Sequence, residues 1–197
     1  MDSYPLSPDR QTAVSGNEDG IIDVWSLNTK KRLRTLAANA GPIECLALHP
    51  DGQTLASGSD NGTIQIWHLP TGKKLRTLHD EAENTCWSIA ISADGQTLAS
   101  GHNDGAICIW GFHTGTLLRT LDNHDTAVYS VALSADGQTL ISGDQDGAVM
   151  LWDVATGTKL SPLKKHKDAV YSLALSANGQ RLVSGSGDKL IRIWEKS

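Results

Sequence analysis

An all-β fold made of repeated antiparallel units is predicted by three features of the sequence. Tryptophan recurs at Trp25, Trp67, Trp110, Trp152 and Trp194, so consecutive members lie 42, 43, 42 and 42 residues apart. In register with them run Asp51-Gly52-Gln53-Thr54, Asp94-Gly95-Gln96-Thr97 and Asp136-Gly137-Gln138-Thr139, followed by Ser57-Gly58, Ser100-Gly101, Ser142-Gly143 and Ser184-Gly185. A fixed period of this length marks one supersecondary unit, repeated. No stretch carries a sustained helical period and no glycine- or proline-rich linker separates the repeats, so residues 1–197 read as one domain.

The unit around Trp152 shows what each repeat encodes. Val128 to Leu133 is short, β-branched and aromatic, and predicts a first strand. Ser134-Ala135-Asp136-Gly137 follows, its Asp-Gly pair supplying the positive φ that a tight hairpin needs. A second strand runs from Gln138 to Ser142. Gly143 to Gly147 is another Asp-Gly turn, and Ala148 to Trp152 is the third strand. After the turn at Ala155-Thr156-Gly157, residues Thr158 to Leu163 form a weaker fourth strand whose Pro162 suits an edge. Four antiparallel strands in about 42 residues make one propeller blade. The same reading places blades at 1–36, 43–78, 86–121, 128–163 and 170–197. The predicted fold is a β-propeller of four complete four-stranded blades plus a three-stranded fifth.

Composition narrows the function. A net charge of -5 with no basic block argues against nucleic acid or an anionic membrane as partner, since both are held by clustered Lys and Arg. Cys45, Cys86 and Cys108 are three, without close paired spacing, and read as small apolar core residues rather than metal or redox groups. Met1 to Pro5 shows no charged region leading into an apolar run, and no run is long enough to span a bilayer, so a cytoplasmic location is expected. His49, His68, His79, His102 and His113 fall at different phases of the repeat and read as solvated turn or strand-end residues. The Asp-Gly pairs lack the alternating oxygen ligands of a calcium loop. No metal and no cofactor is expected.

On these tryptophan, Ser-Gly and Asp-Gly registers, essentially the whole chain resembles the WD-repeat β-propellers. The near-identity of its repeats, with Ser92 to Leu98 recurring unchanged at Ser134 to Leu140, resembles the bacterial members. The resemblance implies a buried hydrogen-bonded set in each blade: a histidine before the first strand, a serine on the second, an aspartate in the second turn and the tryptophan of the third. Two blades match it in full, with His124, Ser142, Asp146 and Trp152, and with His166, Ser184, Asp188 and Trp194. The blade of Trp110 keeps Ser100 and Asp104 but has Ala82 near the histidine position. That of Trp67 has Asn39 and Asn61 in place of histidine and aspartate, and the first blade has Ser15, Asp19 and Trp25. His, Ser and Asp also suggest a nucleophilic triad, but a triad is single and exposed beside an oxyanion hole, whereas this set recurs. It is read as a stabilising network, with no catalytic residue.

The ends pose a separate question. Met1-Asp2-Ser3 aligns with Val128-Tyr129-Ser130, and the last blade has no fourth strand, whereas propellers of this kind pair strands from both ends in one blade. Seven blades would need about 295 residues at this period. The arrangements left are a five-blade ring, a fragment of a larger propeller, which is the expectation, and a subunit that completes its ring with another chain. Self-association through unpaired blade edges is part of that expectation.

Function is sought where a repeat under pressure to be uniform is not. The second residue of each first strand is Asp2, Glu44, Trp87, Tyr129 or Tyr171, and the residue before each second-turn position is Glu18, Asp60, Asn103, Gln145 or Gly187. In the propellers this chain resembles, these positions open on the face where partner peptides dock. They imply aromatics on one arc and the carboxylates Asp2, Glu18, Glu44 and Asp60 on another, suited to a protein or peptide with a basic segment. The alternative is that Trp87, Tyr129 and Tyr171 pack along the channel wall. The expected function is a non-catalytic protein-interaction scaffold. The competing readings are a hydrolase-like enzyme with carboxylates at the channel mouth, and a truncated regulatory fragment.

Overall fold

The structure is a computed structural model and describes residues 5–79, 84–122, 124–163, 165–176 and 179–195. Every named element among them is a strand, and the chain divides into two compact units, 1–89 and 90–197.

The first unit holds a sheet of β1 (Thr12–Gly16), β2 (Ile21–Ser26) and β3 (Lys31–Ala37), and a four-stranded sheet of β4 (Ile43–Leu48), β5 (Thr54–Ser59), β6 (Ile64–His68) and β7 (Lys73–Leu78). The boundary between units falls within β8 (Cys86–Ile91), the innermost strand of the sheet that continues with β9 (Thr97–His102), β10 (Ala106–Gly111) and β11 (Leu117–Asp122). The rest of the second unit is β12 (Val128–Leu133), β13 (Thr139–Asp144), β14 (Val149–Asp153) and β15 (Lys159–Pro162) in one sheet, and β16 (Val170–Leu175), β17 (Arg181–Ser186) and β18 (Ile191–Glu195) in another. Each sheet is an antiparallel meander in chain order, the blade expected from the sequence.

Three sheets thus have four strands and two have three among the described residues. In the first sheet the innermost strand was expected from Met1, and residues 1–4 lie outside the described residues. Its continuation is present: Pro5 O accepts the Val14 N–H at 3.2 Å and Leu6 bridges Ala13. Pro162 stands on the outermost strand opposite Met150, where a residue without an N–H removes no ladder bond from a sheet centre.

The turns between first and second strands show why Ser-x-Asp-Gly-Gln-Thr repeats. Ser92 Oγ donates to Asp94 Oδ1 at 2.6 Å, that oxygen accepts the Gln96 N–H, and the Thr97 N–H returns to Ser92 Oγ. Ser134 and Asp136 repeat the arrangement, as do Ser7 and Asp9. The Ser92 hydroxyl, with the Gln96 N–H, holds the Asp94 carboxyl below its ordinary pKa. Gly52, Gly95 and Gly137 occupy the left-handed position of this turn with φ near 70°, and Arg10 takes it in the first sheet at φ 56°.

Sheet packs on sheet through the apolar side chains of second and third strands. In the first unit Val14, Ile22, Val24 and Leu36 meet Leu46, Leu55 and Trp67. In the second, Ile107, Ile109 and Leu121 meet Val128, Leu140 and Trp152, and Ile141 and Val149 meet Val170 and Leu182. Close approach relies on the Ser-Gly glycines. A Cβ on Gly58 would stand 2.6 Å from Cys45 Sγ, 2.7 Å from Cys86 Sγ and 3.0 Å from Ile89 Cδ1. Those two buried thiols, 3.8 Å apart, fill the space that the glycine leaves. The Gly58→Ala variant is therefore expected to lose about 1–3 kcal/mol from overpacking of the first unit, read as a lower urea midpoint by circular dichroism. An unchanged midpoint would contradict this packing.

Candidate functional site

The tryptophan indole N–H needs an acceptor in every sheet, and a serine supplies it each time. Trp25, Trp67, Trp110 and Trp152 donate to Ser15, Ser57, Ser100 and Ser142 Oγ at 3.1, 3.0, 3.0 and 2.8 Å, and Trp194 donates to Ser184 at 3.4 Å. The ladder register makes this possible, since Trp152 lies opposite Leu140, two residues from Ser142.

Beyond the serine the sets diverge. In the sheet of Trp152, Ser142 Oγ lies 2.7 Å from His124 Nε2 and His124 Nδ1 lies 2.8 Å from Asp144 Oδ2, while Asp144 Oδ1 accepts the Ala148 N–H at 2.7 Å. One proton arrangement satisfies the whole chain: indole N–H to serine, serine O–H to Nε2, and Nδ1–H to carboxylate. The acid is thus Asp144, correcting the expectation of Asp146, which is exposed. Strand geometry is the reason. Ser142 and Asp144 are two apart on β13 and point to the same face, whereas Asp146 has passed into the turn. In the last sheet that strand position is Ser186, which has no carboxylate, and Asp188 acts from the turn as expected. His166 Nε2 is 2.8 Å from Ser184 Oγ and Nδ1 is 2.9 Å from Asp188 Oδ2.

His102 and His49 are corrections too. Both are buried rather than solvated. His102 occupies the position equivalent to Asp144 and brings Nε2 to 2.8 Å from Ser100 Oγ, so in the sheet of Trp110 an imidazole reaches the serine from β9 itself. Ala82, expected near the missing histidine, lies outside the described residues. His49 takes the place of the turn serine, its Nδ1 receiving the Asp51 N–H at 3.1 Å. A period-2 reading of the strand after each serine would have found both Asp144 and His102.

Burial works against ionisation of Asp144, but hydrogen bonds from His124 and the Ala148 N–H, with the charge of Lys165, outweigh it and hold the carboxyl below its usual range. Asp188 is lowered further. Desolvation is again overcome, here by the Lys167 N–H, the His166 ring and the Leu190 N–H. This geometry is that of a buried structural network repeated from sheet to sheet. Among the described residues no group of three or more His, Cys, Asp or Glu side chains is placed to hold a metal ion.

The variable positions have a distinct local structure. The ladder slips by one residue between Ile43 and Cys45, between Val128 and Ser130, and between Val170 and Ser172. Glu44, Tyr129 and Tyr171 are therefore the extra residues of β-bulges, a device that re-aims a side chain out of the regular pleat. In the second unit Tyr129 and Tyr171 stack, with ring centroids 5.8 Å apart and planes within 12°. Tyr171 is 44% exposed and Tyr129 half-buried, with Asn103 and Gln145 exposed on turns of the same unit. In the first unit Trp87 and Glu44 are half-buried and Glu18 and Asp60 are exposed. The Asp60 carboxylate lies where a Cβ on Gly41 would fall, and Asp60 O accepts the Thr85 hydroxyl at 2.8 Å. Asp2 lies outside the described residues.

Meander sheets of one repeated sequence, each closed on a tryptophan–serine bond, define a WD-repeat β-propeller protein. The WD40 family (WD domain, G-beta repeat) matches residues 30–68, 72–111, 115–153 and 157–195, and the chain belongs to that family. No curated protein matches the chain. Each matched segment opens with the outer strand of one sheet and closes with the third strand of the next, so every match from 30–68 onward links neighbouring sheets.

Two outcomes test the network. Asp144→Ala is expected to cost about 1–3 kcal/mol, because the buried His124 N–H and Ala148 N–H lose their acceptor. Asp146→Ala should stay within about 0.5 kcal/mol as an exposed turn substitution. Equal changes in thermal midpoint for the two variants would overturn the assignment. The lowered carboxyl of Asp144 also fixes a sign. Its contribution is present above the unfolded aspartate pKa of about 4 and is lost as pH falls toward the lower folded value. The stability gap between wild type and Asp144→Asn should therefore be widest near neutrality and narrow below about pH 4, measured by urea titration across pH. A gap that widens on acidification would contradict the pairing.

Proposed function

We propose that the chain is a non-catalytic protein-interaction module of the cytoplasm that holds a Lys- or Arg-containing segment of a partner against its bulge residues. Protein binding is typical of the family, and among the described residues no helix is long and apolar enough to cross a membrane. The observation that carries the reading is the Tyr129–Tyr171 stack. Two rings held nearly parallel by successive bulges, one of them 44% exposed, give a rigid aromatic surface at low entropic cost. Such a surface suits a guanidinium or ammonium group. The exposed carboxylates Glu18 and Asp60, with Glu44, add charge preference in the first unit, where Trp87 supplies a further aromatic contact. Asn103 and Gln145, exposed on turns of the second unit, offer neutral hydrogen-bonding groups.

The test is fluorescence anisotropy with labelled peptides that carry Lys or Arg in a neutral background, and with the same peptides after Lys/Arg→Gln exchange. Basic peptides are expected to bind, with affinity falling as salt rises. The combined Trp87→Ala, Tyr129→Ala and Tyr171→Ala variant should lose at least about tenfold in affinity while keeping its thermal midpoint. Binding that survives the triple substitution, or that ignores the Gln exchange, overturns the reading.

A further inference from the structure

Two of the three cysteines replace residues that the repeat otherwise keeps, and the fold brings those two together. Cys45 follows the bulge residue Glu44, where the later sheets have Ser88, Ser130 and Ser172. Cys86 opens β8, whereas β4, β12 and β16 open with Ile43, Val128 and Val170. One period on, the same pair of positions holds Ser88 and Val128, and after that Ser130 and Val170, so the two replacements coincide at one place in the array. Packing does not require cysteine there, since Val128 and Val170 cover Gly101 and Gly143 from the position of Cys86.

Both residues lie in the first unit. Cys45 Sγ donates to Cys86 O at 3.2 Å and stands 3.8 Å from Cys86 Sγ. Gly58 makes room for the two sulfurs, because a Cβ on it would fall 2.6 Å from one and 2.7 Å from the other. A disulfide holds its sulfurs about 2 Å apart, so each has about 1 Å to travel, a movement within reach of side-chain rotation. Cys86 is 0% exposed and Cys45 6%, which makes Cys45 the thiol that a small oxidant meets first.

We infer that Cys45 and Cys86 form a peroxide-sensitive modification site that closes to a disulfide joining β4 to β8. The Cys45 thiolate attacks one oxygen of hydrogen peroxide, breaking the O–O bond, and becomes a sulfenic acid as the other oxygen leaves as water. Cys86 sulfur then attacks the Cys45 sulfur, forming the S–S bond and expelling the hydroxyl as a second water. Two thiols are oxidised, the peroxide is reduced, and both thiol protons end in the two waters. A dithiol reverses the bond by exchange, so in a reducing compartment it lasts only while peroxide outruns reduction. The crosslink ties together residues 41 apart in the chain, which restricts the unfolded state and stabilises the folded one. It stands one residue from Glu44 and one from Trp87 and fastens the strands that carry them, but its formation does not depend on peptide binding.

The test treats the folded chain with hydrogen peroxide, counts the remaining thiols with a maleimide after denaturation, and maps links by mass spectrometry of proteolytic fragments. In the wild type the count should fall from three to one, with Cys45 linked to Cys86, and the urea midpoint should rise. Dithiothreitol should restore both values. Cys45→Ser and Cys86→Val each introduce a residue found at that position elsewhere in the array, so both variants are expected to fold, and neither should form a link or gain stability with peroxide. Cys108→Ala should link as wild type does. Three thiols remaining after peroxide, a link that involves Cys108, or oxidation of Cys45 to sulfinic acid without a link would overturn the inference.

Discussion

A buried indole N–H must find an acceptor, and the bond from each tryptophan to a serine on the neighbouring strand is the constraint on which the rest of each sheet rests. The acceptor is reached only when the second and third strands pair in the one register that places serine and tryptophan ten residues apart on a shared face. A slip by one residue between the two strands would put serine and tryptophan on opposite faces and expose the core set of the slipped strand. The glycine after Ser15, Ser57, Ser100 and Ser142 follows from the same register, because the next sheet's side chains sit where its Cβ would be. Val128 lies over Gly101 and Val170 over Gly143.

The hydroxyl that receives the indole still has a proton to place, and the sheets place it differently. Imidazole takes it in three of them, from the segment before the first strand at His124 and His166 and from the second strand itself at His102. In the sheet of Trp67 the serine turns to the backbone instead, with Ser57 Oγ donating to Gln65 O at 3.4 Å. The N–H that opens each third strand is equally adaptable in its acceptor. Asn17 and Asp144 reach it from the strand end, and Asn61, Asp104 and Asp188 from the turn. The requirement is a satisfied donor, and two side-chain positions satisfy it. Repeats therefore keep their geometry while their residues drift.

That tolerance gives the array its surface. Positions inside the network are held to a few residue types, whereas the bulge residues of β4, β12 and β16 are aimed out of the pleat and lie outside the network. Glu44, Tyr129 and Tyr171 differ there without disturbing the ladder on either side. A uniform scaffold thereby displays a varied set of side chains.

By itself the sequence determined the strand order, the turns and the meander topology, because these depend on neighbours within one period: alternation, Asp-Gly pairs and the tryptophan spacing. It also singled out the bulge residues, through their variation in an otherwise uniform register. It misassigned Asp146, His102 and His49, since motif position in the chain does not say which face of a strand a side chain occupies at its end, nor what is buried beneath it. Nor did it pair Cys45 with Cys86, 41 residues apart, or stack Tyr129 on Tyr171. Those contacts arise between sheets, and only the packing of one sheet on the next decides which side chains from different periods share a space.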